Sequence, residues 1–158
     1  MRSAYFKVII LLLQVYGIIS CSHQEIYFKY HTFANATWNR DNPAVFNAKI
    51  EDNSQSYDLS IALRNNAVYP FSNVWLLIDY KTPDGTCLTD TVGADLADIS
   101  GKWKGEGLSL YNYSIPYKTS FLFPDTGNYI FTVRHGMKEK NLKGISDIGL
   151  KISKNSIE

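Results

Sequence analysis

The chain is poor in the residues that build disulfide-stapled or metal-bound folds. It has two cysteines and three histidines among 158 residues, and neither type recurs at the spacing of a zinc site. The formal net charge is only +1, so there is no basic field that would favour nucleic acid. No apolar run reaches the ~20 residues of a membrane-spanning helix. These deficits exclude a zinc module, a disulfide-rich mini-fold, a DNA-binding protein and a multi-pass membrane protein.

The first twenty residues have the pattern of an export signal. Arg2 and Lys7 supply positive charge without any acid, and a short apolar run follows at residues 8–19. The run ends in Ile18-Ile19-Ser20-Cys21, which places an aliphatic residue at −3, a small one at −1 and cysteine at +1. That order is typical of a bacterial lipoprotein. We therefore predict cleavage before Cys21, an S-diacylglyceryl group on its thiol and an N-acyl chain such as palmitate on its new amine. An ordinary cleavage site or an uncleaved signal anchor is the alternative.

The remaining chain is predicted to be a short lipidated tether, residues 21–25, followed by one domain, residues 26–158. Apolar and polar residues alternate with the period of half-buried strands. A hairpin loop is predicted at 52–55, a second at Thr82-Pro83-Asp84-Gly85, and one helical turn at 95–100. The pattern predicts an all-β fold, an antiparallel β-sandwich of about eight strands, with a barrel as the alternative. The predicted strands are 26–33, 46–50, 57–63, 74–80, 87–92, 108–115, 129–135 and 148–152.

Catalytic and metal-binding chemistry has little support in the sequence. There is no Gly-x-Ser-x-Gly elbow and no acidic run in calcium-binding order. A Cys87/His135 pair would be the one candidate for a thiol hydrolase, but a strand cysteine is more often a small buried side chain. We therefore expect no catalytic residue, no cofactor and no metal site.

Two aromatic segments are candidates for a contact surface. The segment 101–107 places Trp103 among three glycines, which suits either a plug at one end of a sandwich or an exposed platform for a sugar or a partner. Tyr69 and Phe71 flank Pro70 in a rigid corner, and loops of this kind often carry binding sites. Trp103, Tyr69 and Phe71 are therefore the candidate contact residues. Arg64, just before the corner, is expected to pair with Asp98 or with nearby carbonyls.

These segments, taken in order, resemble the GldH family of gliding-motility lipoproteins of Bacteroidetes. The resemblance covers essentially the whole chain after the signal. Its motifs are the lipobox, Trp38, Phe46, residues 57–64, Tyr69-Pro70-Phe71-Ser72-Asn73-Val74-Trp75, Leu96-Ala97-Asp98, residues 101–107, residues 135–137 and residues 142–150.

The resemblance implies a non-enzymatic outer-membrane lipoprotein required for gliding, acting with machinery tied to type IX secretion. Cys21 is the functional residue that it carries over. We expect an assembly or stabilising role among protein partners, with no nucleic acid and no small-molecule substrate. Export of lipoproteins to the cell surface in this phylum favours acidic residues just after the cysteine. The segment Ser22-His23-Gln24-Glu25 contains a single acid, so the periplasmic face is favoured. A carbohydrate-binding lipoprotein of a glycan-uptake system is the alternative, since exposed Trp38, Trp75 or Trp103 rings would stack on sugars.

Overall fold

The computed structural model describes residues 24–155. These residues form ten strands joined by turns, and they contain no α-helix. The strands are β1 (Glu25–Thr32), β2 (Thr37–Asn39), β3 (Ala44–Ile50), β4 (Ser56–Asn66), β5 (Asn73–Lys81), β6 (Cys87–Asp95), β7 (Leu110–Leu122), β8 (Gly127–His135), β9 (Asn141–Lys143) and β10 (Ile145–Lys154).

Two antiparallel four-stranded sheets pack face to face. The first sheet has the strand order β1-β10-β4-β7, the second has β3-β8-β5-β6, and β2 pairs with β9 in a short separate ribbon. The predicted β-sandwich is therefore confirmed, and each of the eight predicted strands is present. The sequence does not predict the β2–β9 ribbon, because strands of three residues are too short to show an alternating pattern.

The core lies between the inner faces of the two sheets. On β4, buried Tyr57, Leu59, Ile61 and Leu63 alternate with outward-facing residues, because successive side chains of a strand point to opposite faces. Aromatic rings fill the wider parts of this layer. Phe123 packs edge-on against Tyr57 and Tyr129, with ring centroids 5.4 and 4.7 Å apart.

One predicted hairpin is confirmed and the other is wrong. β5 and β6 pair along nine residues through the turn at Thr82–Gly85. β3 and β4 do not pair, because β3 pairs with β8 while β4 lies between β10 and β7. The loop between them instead crosses from one sheet to the other. The Asp52 carboxylate fixes this crossing by accepting hydrogen bonds from Ser54 and Gln55.

β7 is longer than the predicted 108–115 because it continues through Pro116. A proline has no backbone N–H to donate, so within a sheet it is tolerated at an edge. β7 is an edge strand, and the β4–β7 register shifts on both sides of Leu59, which pairs with Lys118 while Ser60 pairs with Pro116.

The helical turn predicted at 95–100 does not form. The Asp98 carboxylate accepts hydrogen bonds from the backbone N–H groups of Ser100 and Lys102, and also from the Ser100 hydroxyl. These bonds lower the pKa of Asp98, the Ser100 hydroxyl contributing most. A side chain that binds the following backbone in this way competes with a helix and stabilises a turn.

The sandwich has two distinct ends. β1 begins and β10 ends at the same end, where the Lys154 N–H donates to the Gln24 carbonyl over 2.9 Å; we call this end the base. At the opposite end, the distal end, β4 finishes at Asn66 and β7 begins at Leu110. The eleven residues of β4 span about 35 Å between the two ends.

Candidate interaction surface

The Tyr69–Asn73 corner lies at the distal end and is built around a buried ring. Tyr69 is 3% exposed, and its hydroxyl donates to the Asn73 carbonyl over 2.8 Å. Burial raises the pKa of this hydroxyl strongly. Phe71 is half-buried and meets Tyr69 edge-on, with ring centroids 5.6 Å apart. Tyr69 is therefore the buried support of the corner, and Phe71 is its solvent-accessible aromatic ring.

Trp103 is half-buried above Tyr69. It forms an isolated antiparallel bridge with Ala97, and its ring centroid lies 6.3 Å from that of Tyr69 and 5.8 Å from that of Tyr111. The segment 101–107 is thus a folded-back loop. Trp103 closes the distal end of the core and leaves part of its ring accessible.

Two aliphatic side chains project from the same end into solvent. Ile99, at the tip of the Asp98 turn, and Leu108, in the loop before β7, are both fully exposed. The Asp98 hydrogen bonds fix the first turn, and reciprocal backbone bonds between Glu106 and Asn112 close the second. Alternation gives no signal for residues at loop tips, so the sequence pattern did not identify either one.

The three tryptophans have three different surroundings. Trp38 is fully buried, Trp103 is half-buried in the distal cluster, and Trp75 is 49% exposed on the outer face of the second sheet. The Trp75 ring lies against the backbone of Gly93 on the neighbouring strand, where a Cβ would come within 3.0 Å of the ring. The three rings form no shared platform of the kind a glycan site uses.

Cys87 and His135 do not form a pair. Cys87 is exposed at the start of β6, so its expected burial is wrong. The Cys87 side chain does not reach the hydrophobic core, because it faces outward beside the β5–β6 turn. His135 is buried under Trp38, and burial lowers its pKa. Their partners on β5 are five positions apart, so the two residues are about 17 Å apart along the strand direction alone.

Arg64 does not pair with Asp98. Its guanidinium instead lies over the Tyr30 ring, 3.9 Å from the centroid, on the outer face of the first sheet. The Asp98 carboxylate instead accepts hydrogen bonds from Ser100 and Lys102 within its own turn. The nearest carboxylate oxygen to Arg64 belongs to Asp147, 4.0 Å from Nη1.

Other parts of the described chain offer less. Residues 24–155 contain no cluster of three His, Cys, Asp or Glu side chains that could hold a metal ion. Within the same range, no helix has the length and apolar character that crossing a bilayer requires. A groove of about 580 Å³ between β1 and β3 is lined by mixed charges, among them the Lys49–Glu51 pair at 3.0 Å. The signal, Cys21 and the first residues of the tether lie outside the described residues.

Comparison with known proteins supplies the remaining information. Residues 25–152 match the family model of the GldH lipoprotein. The chain is 31% identical to the gliding motility lipoprotein GldH homolog of Christiangramia forsetii, over 98% of each chain. It is 28% identical to the gliding motility lipoprotein GldH of Flavobacterium johnsoniae, over 90% of this chain and 93% of that one.

Among solved structures, the infectious bursal disease virus VP2 subviral particle matches 83% of this chain and 30% of its own, at 13% identity and a TM-score of 0.34. The Gx strain of the same virus matches at a TM-score of 0.33. Scores at this level carry no argument about function.

Proposed function

Because the chain belongs to the GldH lipoprotein family, we propose that it is a lipid-anchored, non-catalytic component of the bacterial gliding machinery. The observation that carries the proposal is the family match over residues 25–152, together with full-length relatives named gliding motility lipoproteins. We assign it to the periplasmic face of the outer membrane, where it stabilises protein components of the gliding apparatus and of the associated type IX secretion system.

Acylated Cys21 is the proposed anchor. One acyl chain binds a membrane only marginally, whereas an S-diacylglyceryl group and an N-acyl chain together hold a protein there stably. Glu25, the first residue of β1, is four positions after Cys21, so the base can stand at most about 14 Å from the anchored cysteine. The distal end then projects away from the membrane.

The distal end is the proposed contact surface for protein partners. Phe71 and Trp103 present partly accessible rings, and Ile99 and Leu108 present fully exposed aliphatic groups on fixed turns. Aromatic anchors in rigid surroundings dominate the energy of many interfaces, because little conformational freedom is lost on binding. Anchoring the chain also raises its local concentration near other membrane components.

A non-catalytic role agrees with the separation of the candidate thiol and imidazole. A thiolate needs a base within hydrogen-bond reach to be activated by it. Cys87 and His135 lie on opposite faces of the second sheet and at least about 17 Å apart.

The anchor is tested by a Cys21→Ser variant in a gliding bacterium that carries the gene. We expect mass spectrometry to find a triacylated Cys21 in the native protein, and the variant to lose both membrane association and spreading. Normal gliding by the variant, or an unmodified amino terminus on the native protein, would refute the anchor.

The contact surface is tested separately with Ile99→Asp and Leu108→Asp, both of which leave Cys21 intact. The matched control is Leu122→Asp, which changes an apolar side chain, 61% exposed, at the base. We expect spreading to fail in the distal variants and to persist in the control, at equal membrane levels of protein. Equal spreading by all three variants would remove the distal end from the proposal.

A further inference from the structure

Three side chains converge on the outer face of the first sheet, close to the distal end. The Tyr30 ring of β1 lies against the backbone of Gly149 on β10, where a Cβ would meet ring carbons at 2.9 Å. Its hydroxyl donates to Asn112 Oδ1 over 3.1 Å, so it crosses two intervening strands to reach β7. The Arg64 guanidinium, from β4, lies 3.9 Å from the Tyr30 ring centroid. The ring thus holds the guanidinium in a defined place on the surface.

The guanidinium has no directional partner within residues 24–155. Asp147 lies nearest, but its oxygen is 4.0 Å from Nη1, beyond hydrogen-bond distance. Each carboxylate oxygen of Asp147 already accepts a hydrogen bond from a hydroxyl group, one from Thr32 at 2.6 Å and the other from Ser146 at 2.8 Å. Arg64 is about one-third exposed, so its N–H donors can reach a ligand from solvent.

The other two arginines of the described chain are both engaged. Arg134 binds the Asp79 carboxylate at 2.5 Å, and Arg40 donates to the backbone carbonyls of Met137 and Lys138. Arg64 therefore stands apart as an oriented guanidinium whose hydrogen-bonding capacity is unused.

We propose that Arg64, Asn112 and Tyr30 form a binding site for a carboxylate presented by an acidic segment of a protein partner. A guanidinium fork matches a planar carboxylate with two parallel hydrogen bonds. The Asn112 Oδ1 atom already accepts from Tyr30, which leaves the Nδ2 group as a further donor beside the fork. Asp147, 4.0 Å from Arg64, opposes a doubly charged phosphate more than a singly charged carboxylate.

The surroundings favour a polypeptide over a free small acid. Phe28 lies two residues before Tyr30 on the same face of β1, is 40% exposed, and has its ring centroid 5.0 Å from that of Tyr30. The Lys151 ammonium lies 5.7 Å from the Phe28 ring and 3.3 Å from the Glu25 carboxylate, with which it is paired. An exposed ring next to the guanidinium suits a segment in which an apolar group neighbours the acid. This site does not depend on the acylation of Cys21.

The test is a titration of the native lipoprotein in detergent, labelled with ¹⁵N at arginine and asparagine side chains. The probe is a hexaglutamate peptide with blocked termini, and methyl phosphate is the comparison. We expect a saturable shift of the Arg64 Nε and Asn112 Nδ2 signals by the peptide at millimolar concentration, and a weaker response to methyl phosphate.

Variants separate this site from general charge attraction. We expect Arg64→Gln to abolish the saturable binding and Arg64→Lys, which keeps the charge, to weaken it at least fivefold. Asn112→Ala, which leaves Arg64 in place, should weaken it as well. Arg134→Gln removes the same charge from the other sheet and should bind like the native protein. Equal binding by Arg64→Gln, no saturable shift in the native protein, or equally tight methyl phosphate would overturn the proposal.

Discussion

Replacing Gly144 by alanine tests how the distal end is held together. Gly144 is buried between β9 and β10 with a φ of +89°, a conformation that alanine adopts at a cost of about 1–2 kcal/mol. Its N–H donates to the Ala36 carbonyl and its carbonyl accepts from Asn66, so the backbone cannot move freely. A Cβ would lie 2.6 Å from the Cα of Tyr69. Overpacking of this kind costs about 1–3 kcal/mol more.

The expected loss for Gly144→Ala is therefore about 1–4.5 kcal/mol, after about 0.4–1 kcal/mol is recovered from the less flexible unfolded chain. Gly101→Ala is the matched control, because Gly101 has a similar φ of +81° and no atom within 4 Å of an added Cβ. It should lose no more than about 1–1.5 kcal/mol. Equilibrium urea unfolding of both variants measures the difference. Equal losses would refute the close contact between Gly144 and Tyr69.

Three further predictions follow from single side chains. Burial lowers the pKa of His135, so the unfolded chain binds the proton more readily than the folded chain. The free energy of unfolding should therefore decrease as pH falls below about 6.5, by at most ~1.4 kcal/mol per pH unit. In His135→Gln, the free energy of unfolding measured in urea should depend less on pH between pH 5 and pH 7, and an unchanged pH dependence would contradict this. Exposed Cys87 should react with a thiol reagent in the native protein as fast as in urea, whereas slow native labelling would mean that it is covered. Gly93→Ala should displace the Trp75 ring and shift tryptophan fluorescence to longer wavelength, and an unchanged emission spectrum would exclude the ring-on-backbone contact.

The strands could be predicted from the sequence because alternation reports burial on one face directly. On β4, Tyr57, Leu59, Ile61 and Leu63 lie on the inner face of the first sheet, and Asp58, Ser60 and Ala62 lie between them on the outer face. Pairing could not be predicted in the same way. The loop at 52–55 has the composition of a hairpin turn, yet it joins strands of different sheets, because turn residues specify that the chain reverses and not which strand it then meets.

The candidate site was predicted in part. The sequence indicated Trp103 and the Tyr69–Asn73 corner, but it could not show that Tyr69 is enclosed while Ile99 and Leu108 are exposed. The position of Arg64 over Tyr30 depends on strand order, since β10 lies between the two strands that carry them. Contacts that cross several strands leave no trace in the local pattern of either strand.

The position of the chain's entry into the sandwich determines how the domain bears load. A pull on the tether, with the distal end held, acts along β1 and parallel to its neighbour β10. Hydrogen bonds of an antiparallel pair lie perpendicular to the strands, so such a force shears them together and does not unzip them one by one. The seven paired positions of β1 and β10 then share the tension. A domain gripped in this direction resists mechanical extraction better than one pulled sideways at the same point.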